Sequence, residues 1–221
     1  MVPPMGLFYR ASINSSEEVE KGMKLYWCPN TRAFRIAWLM EESGLRYERI
    51  FIDIRNAEAK SDPAFRAVSP MGKVPSLEDG PTRLNDSGAI CIYIADQYPQ
   101  ARLGPPVGHP DRGSFLQWVL FTNSVVEPAM VEKFAKLDVS PTARGWGSYD
   151  LMLTTLRNGL SGREWIVGSQ FTAADVLVGQ AAFWLQQFKL LGDDPVISPY
   201  VARCQARPAF KRAQQFEAAG A

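Results

Sequence analysis

Along the first hundred residues the apolar positions change period several times. "KLYW", from Lys24, is a short strand-like run; positions 32–43 follow with Phe34, Ala37, Trp38 and Met40 at helical spacing, closed by Gly44. "YERIFIDI" then alternates and is rich in β-forming residues. "DPAFRAV" reads as a short helix opened by Asp62-Pro63, because proline fits the first helical position. "KVPSLED" and "GPTRLND" read as two short strands meeting at a Gly-Pro turn, and "SGAICIYIADQYP" as a third helix. The order, βαβ, then α, then ββα, predicts a small mixed sheet covered by helices.

The stretch "YPQARLGPPVGHPDRG", 98–113, breaks this pattern. Pro99, Pro105, Pro106 and Pro110 prevent a helix or strand from running through it, so it reads as a domain connection. Beyond it the helical period persists over about 112–137, 142–161, 172–188 and 198–217. The predicted fold class is therefore α/β plus all-α. Its parts are an extension over 1–22, a mixed domain over 23–98, a linker over 99–111 and a helical domain over 112–221. Residues 1–22 hold only the mixed patch "MGLFYR" before a polar stretch, without the apolar core of a signal peptide.

Composition narrows the function classes. A net charge of +1 and 21% charged residues, with no basic cluster, give no electrostatic footprint for nucleic acid. No apolar run approaches the length of a membrane span, roughly 20 residues. The three cysteines, Cys28, Cys91 and Cys204, are widely spaced and odd in number, which fits free thiols in a reducing compartment, and a cytoplasmic location is expected. One histidine, His109, supports neither a zinc cluster nor a histidine-based triad, so no metal is expected.

Five places could carry chemistry or specify the fold. In "GKVPSL", Pro75 donates no ladder hydrogen bond; it either protects a sheet edge or leaves the Val74 backbone free to pair with an extended ligand. In "NDSGAICIY", Asp86 or Ser87 caps a helix. The same helix start is a carboxylate receptor, and with Asp86 as an anion the pair could grip an α-amino acid head group. In "YWCPNTRAF", Thr31 falls where a helix begins and reads as its cap, beside Asn30 and Cys28. "CPNT" also has the form of a CxxC redox motif whose second cysteine is threonine, which leaves mixed-disulfide chemistry but no internal disulfide. Phe115, Trp118 and Phe121 form a stripe that could line an apolar substrate pocket or pack a core. The fifth, "FTAAD", carries a capping box, Thr172 with Asp175, and Phe171 in the place of a hydrophobic staple, and is read as a folding signal.

Taken in order, these pieces resemble the cytosolic glutathione S-transferases of the serine-type, theta-like or bacterial classes. The motifs are "KLYWCPNTRAFRIAWLMEESGLRYE", "GKVPSLEDG", "NDSGAI", "GSQFTAADVLV" and "YVARCQARPAFKRA", spanning Met23 to about Phe216. The resemblance implies a thioredoxin-like domain followed by a helical domain, and a homodimer with glutathione as co-substrate. It implies a cis Val74–Pro75 bond, pairing of the Val74 backbone with glutathione, Asp86 and Ser87 on the γ-glutamyl group, and a peptide contact from Lys73. Counted back from Arg35, Thr31 takes the place of the family's catalytic serine, with Asn30 able to assist and Cys28 as the runner-up. It also implies detoxification by conjugation to a small apolar electrophile. Three alternatives stand beside it: a non-catalytic binding module, a thiol transferase or reductase, and a glutathione-dependent isomerase or dehalogenase.

Magnitudes support a hydroxyl in that role. Lowering a thiol pKa from ~8.5 by ~2 units takes about 2.7 kcal/mol. One hydrogen bond to a charged sulfur supplies roughly 1.5–3 kcal/mol, and a helix N-terminus about 0.3–1 kcal/mol more. No general base is required.

Overall fold

The computed structural model describes residues 22–219. The expected extension therefore lies outside the described residues, apart from Gly22. Strand β1 (Met23–Trp27) pairs in parallel with β2 (Tyr47–Phe51), Met23 abreast of Tyr47. Its other edge pairs antiparallel with β3 (Ser76–Asp79), and β3 pairs with β4 (Thr82–Leu84), giving the order β2-β1-β3-β4. This is the small mixed sheet that the alternating pattern predicted, in the thioredoxin-like form that the resemblance implied. Met23, Leu25 and Trp27 point to one side and are buried, as the period of two requires.

Helix α1 (Ala33–Ser43) follows β1 and stops at Gly44, whose φ of 67° suits glycine. Two short helices, α2 (Ala57–Ser61) and α3 (Pro63–Val68), precede β3. Asp62 caps α3 by accepting the Phe65 N–H at 2.9 Å, as its position before Pro63 suggested. Helix α2 was not anticipated; one and a half turns show no period, and its signal is Asn56, which accepts the Glu58 N–H at 2.8 Å. Helix α4 (Ser87–Gln97) closes the first half.

After the proline-rich stretch the chain is helical. α5 (Arg112–Phe121) passes through a π-helical turn, Thr122–Val126, into α6 (Glu127–Ala135). α7 (Tyr149–Leu160), α8 (Ala173–Gln187), α9 (Ile197–Ala206) and α10 (Pro208–Ala219) complete it. Two expected helices change. The one expected from 142 starts at Tyr149, because Gly147 takes a φ of 76° and Ser148 caps the Leu151 N–H at 3.1 Å. The single helix expected over 198–217 is two, because Pro208 has no N–H to continue α9 and instead opens α10.

The capping box at the start of α8 is buried and does more than cap. The Asp175 carboxylate accepts the N–H groups of Thr172 (2.9 Å) and Ile166 (2.8 Å) and the Tyr200 hydroxyl (3.0 Å). Phe171 packs on Trp38 of α1, with ring centroids 5.6 Å apart, and on Trp165 at 5.0 Å. Phe34 and Trp38 in turn meet Phe210 of α10 at 5.1 and 4.9 Å. Helix α1 is thus held between the sheet and the helices of the second half, and that fixes the turn at its start. No described helix is long and apolar enough to cross a membrane.

Candidate active site

The turn joining β1 to α1 carries Cys28, Pro29, Asn30 and Thr31. Asn30 adopts the left-handed conformation, φ 58°, which asparagine tolerates better than most residues. The Thr31 Oγ1 accepts the Ala33 N–H at 3.1 Å, so it caps the helix start as expected. Its single proton goes to the Cys28 carbonyl at 2.6 Å, so in this structure the hydroxyl serves the turn rather than the space outside it. Asn30 gives its backbone N–H to Glu217 of α10 at 2.6 Å.

Cys28 is wholly buried, with 0% exposure. Its sulfur accepts a hydrogen bond from Arg55 Nη1 at 3.1 Å, while Arg55 Nη2 donates to the Pro29 carbonyl at 3.1 Å. Arg55 lies just beyond β2, and no sequence signal marked it. The β1–β3 ladder ends at the Tyr26–Ser76 pair, two residues before Cys28.

The Val74–Pro75 bond is cis, and the β3 ladder starts only at Ser76, which leaves the Val74 backbone outside it. Lys73 is exposed, and buried serines hold its backbone. Ser69 Oγ accepts the Lys73 N–H at 3.0 Å, and Ser69 and Ser76 both donate to its carbonyl, at 2.8 and 3.0 Å.

At the start of α4, Asp86 is the cap, accepting the Ala89 N–H at 3.0 Å, and Ser87 is buried beside it. Both are backed by groups from other helices. The Ser87 Oγ accepts from Arg35 Nη1 at 3.3 Å, and Asn123 Nδ2 donates to Asp86 Oδ2 at 3.2 Å. Arg35 is itself fully buried. It gives two bonds to Gln180 Oε1, at 2.9 and 2.6 Å, and pairs with Glu127 at 2.8 Å. Arg32 Nε reaches the other Glu127 oxygen at 2.6 Å. Burying a guanidinium is tolerable only with such partners. The π-helical turn carries Asn123, and such turns frequently mark functional positions. Asn123, Glu127 and Gln180 were missed by sequence reasoning, because they come from helices separated in the chain.

Phe115 (0% exposed) and Trp118 (8%) of the expected stripe lie in the hydrophobic core. Glycines make room for them: a Cβ on Gly159 would fall 2.3 Å from the Trp118 ring, and one on Gly104 3.0 Å from Phe115. A different aromatic row starts at the turn. The Arg32 and Arg35 guanidinium groups lie 5.8 and 5.3 Å from the Trp184 ring centroid, Trp184 meets Phe188 at 6.4 Å, and Phe188 meets Phe134 at 5.4 Å. Phe134 is 63% exposed and Phe188 46%. A cavity of about 1040 Å³ lies elsewhere, lined by Arg102, His109, Arg163 and Gln170 among others, and contains none of the expected site residues.

The described residues therefore include a capped polar helix start at α4, a Val74 backbone outside the β3 ladder, a turn carrying a thiol and a hydroxyl, and an aromatic row packed against Arg32 and Arg35. Comparison with known proteins gives a consistent result. Residues 21–96 match the family model described as the glutathione S-transferase N-terminal domain. The chain is 30% identical over 172 residues to a glutathione S-transferase-like protein, LUC7, of Fusarium, covering 73% of this chain and 76% of that one. It is 26% identical over 201 residues to the Escherichia coli O157:H7 glutathione S-transferase GstA, covering 88% and 98%. A sphingomonad glutathione S-transferase solved in complex with glutathione superposes with a TM-score of 0.73 at 29% identity, covering 88% of this chain and 98% of that one.

Proposed function

The chain belongs to the glutathione S-transferase family, and from that premise we propose that it binds glutathione along the path just described and transfers its sulfur to a small apolar electrophile. The observation that carries this reading is the backing of buried Ser87 by Arg35 and of Asp86 by Asn123, together with a Val74 backbone that stands outside the β3 ladder. It suits a γ-glutamyl group at one end of an extended peptide. The carboxylate goes to the Ser87 end of α4 and the ammonium to Asp86, while the peptide pairs with Val74 and passes Lys73. The sulfur is then at the β1–α1 turn.

Thr31 is the hydroxyl available there. At rest it donates to a neutral carbonyl, an interaction worth roughly 0.5–1.5 kcal/mol net, whereas a thiolate acceptor is worth roughly 1.5–3 kcal/mol. Rotating the hydroxyl towards an arriving thiolate is downhill on those values, within the rotamers a β-branched side chain allows. Asn30, beside it, is the assisting donor. The thiolate attacks the electrophilic carbon, a carbon–sulfur bond forms, and the leaving group departs with its electron pair. The row Trp184, Phe188 and Phe134 suits an apolar, flat acceptor next to the sulfur. The chain acts, in this reading, as a cytoplasmic detoxification enzyme and as a homodimer, the latter tested by sedimentation.

A second reading rests on the Arg55 contact to the Cys28 sulfur and on the resting bond of Thr31. Here Cys28 attacks the disulfide of a glutathione mixed disulfide, releasing the other thiol, and a second glutathione frees Cys28 as oxidised glutathione leaves. Conjugation of an aryl halide and reduction of a mixed disulfide are to be assayed in Thr31→Val and Cys28→Ser. The first reading expects Thr31→Val to lose conjugation and Cys28→Ser to keep it; the reverse result, with disulfide reduction lost in Cys28→Ser, establishes the second. Binding of glutathione with neither activity marks a binding module.

A further inference from the structure

The sulfur end of the site is met by a segment from the far end of the chain. The last turn of α10 lies over the β1–α1 turn. The Phe216 ring covers Arg49 of β2, with the guanidinium carbon 3.4 Å from the ring centroid. The next residue, Glu217, takes the Asn30 N–H on Oε2 at 2.6 Å, while its Oε1 is buried and makes no hydrogen bond among the described residues. Two residues before Asn30, Cys28 is sealed from solvent, its sulfur on Arg55.

We propose that the last turn of α10 is a displaceable strap over the sulfur end of the site, with the Glu217 carboxylate holding the Asn30 amide that an incoming thiolate would take. The proposal rests on the glutathione reading given above. Carboxylate and thiolate are both anions that seek an N–H donor at a helix start, and one amide serves one of them at a time. The anchoring of α10 suits local release. Its body is fixed upstream by Phe210 on Phe34 and Trp38, by Arg207 on Glu42 at 2.6 Å across the preceding bend, and by Arg212 on Glu41 at 2.8 Å. Phe216 and Glu217 can leave without undoing any of these.

The electrostatics point the same way. Burial pushes the Glu217 carboxyl above the ordinary glutamate range, against the Asn30 amide and the Arg55 charge. The groups facing this end of α10 are the Asn30 amide from the turn, Arg55 from beyond β2 and Arg49 of β2 under Phe216. Because the closed state favours the protonated carboxyl, closing is strongest at low pH and weakens as pH rises through that raised value. That is the direction in which thiols ionise.

The test uses the full chain, Glu217→Ala and a chain ended after Gln215, with iodoacetamide as the probe and the Cys28 peptide quantified by mass spectrometry. Both variants are expected to alkylate at Cys28 at least tenfold faster, while the buried Cys91 and Cys204 stay unmodified and report an intact fold. Glutathione affinity, read by tryptophan fluorescence, is expected to tighten three- to tenfold. Unchanged alkylation in both variants overturns the strap, whatever glutathione does. Faster alkylation with unchanged glutathione affinity overturns the competition. Faster alkylation with no glutathione binding to any of the three proteins overturns the glutathione reading instead.

Discussion

At the start of α4, Ser87 and Asp86 are backed by Arg35 and Asn123, and Arg35 is held from two further helices, by an ion pair with Glu127 and hydrogen bonds to Gln180. At the start of α1, the polar groups of Cys28, Asn30 and Thr31 are satisfied by the turn itself, by Arg55 and by Glu217. In the proposed reading the first end is the receptor, its side chains held in place before any ligand arrives. At the second, the groups that would meet a sulfur are occupied by partners they can give up. The proposed function thus puts binding at the rigid end and chemistry at the yielding one, a division that preorganisation favours for affinity and that leaves the reacting atoms room to change partners.

The largest test of this contrast is to break the rigid end from behind. Arg35→Ala leaves buried Glu127 with Arg32 alone and strips Gln180 and Ser87 of this donor, so urea unfolding is expected to show a loss of about 3–5 kcal/mol. The corresponding change at the yielding end, Thr31→Val, removes one cap and is expected to cost about 1 kcal/mol. Equal losses would remove the distinction. Next in size is Ser87→Ala, which leaves the fold near its normal stability but removes a hydrogen bond to a charged ligand group. That loss of roughly 1.5–3 kcal/mol corresponds to about a tenfold to hundredfold weaker glutathione affinity by calorimetry. Smallest is Asn123→Ala, which removes a neutral donor from Asp86 and is expected to weaken glutathione a few-fold, about 0.5–1.5 kcal/mol, with the turn's reactivity unchanged.

Much of the fold was readable from periodicity, because β1 and α4 each bury one face over enough residues to show a period, and α1 and β2 carry the residue types of a helix and a strand. The elements that escaped are short or are set by a single residue: α2 by the Asn56 cap, the α9–α10 break by Pro208, and the π-helical turn by no residue type that announces it. The site divides similarly. Val74, Pro75, Asp86 and Ser87 stand in local motifs whose backbone role is legible in one dimension. Arg55, Asn123, Gln180 and Glu217 act across long separations, which a linear pattern does not encode. The Phe115–Trp118 stripe, buried in the core, marks the limit of such reading: helical spacing fixes which face is apolar, but not whether a core or a ligand covers it.

The contrast between the two ends comes down to whether Thr31 releases the Cys28 carbonyl when a thiolate binds. Ultraviolet absorbance of the bound glutathione thiolate, followed against pH in the wild type, Thr31→Val and Cys28→Ser, measures this directly. The wild type should ionise the bound thiol well below the free value of ~8.5. Thr31→Val should raise that midpoint by about 1–2 units, the equivalent of roughly 1.4–2.7 kcal/mol, and Cys28→Ser should leave it in place. A midpoint that stays put in Thr31→Val and shifts in Cys28→Ser would contradict the account and assign the sulfur to Cys28.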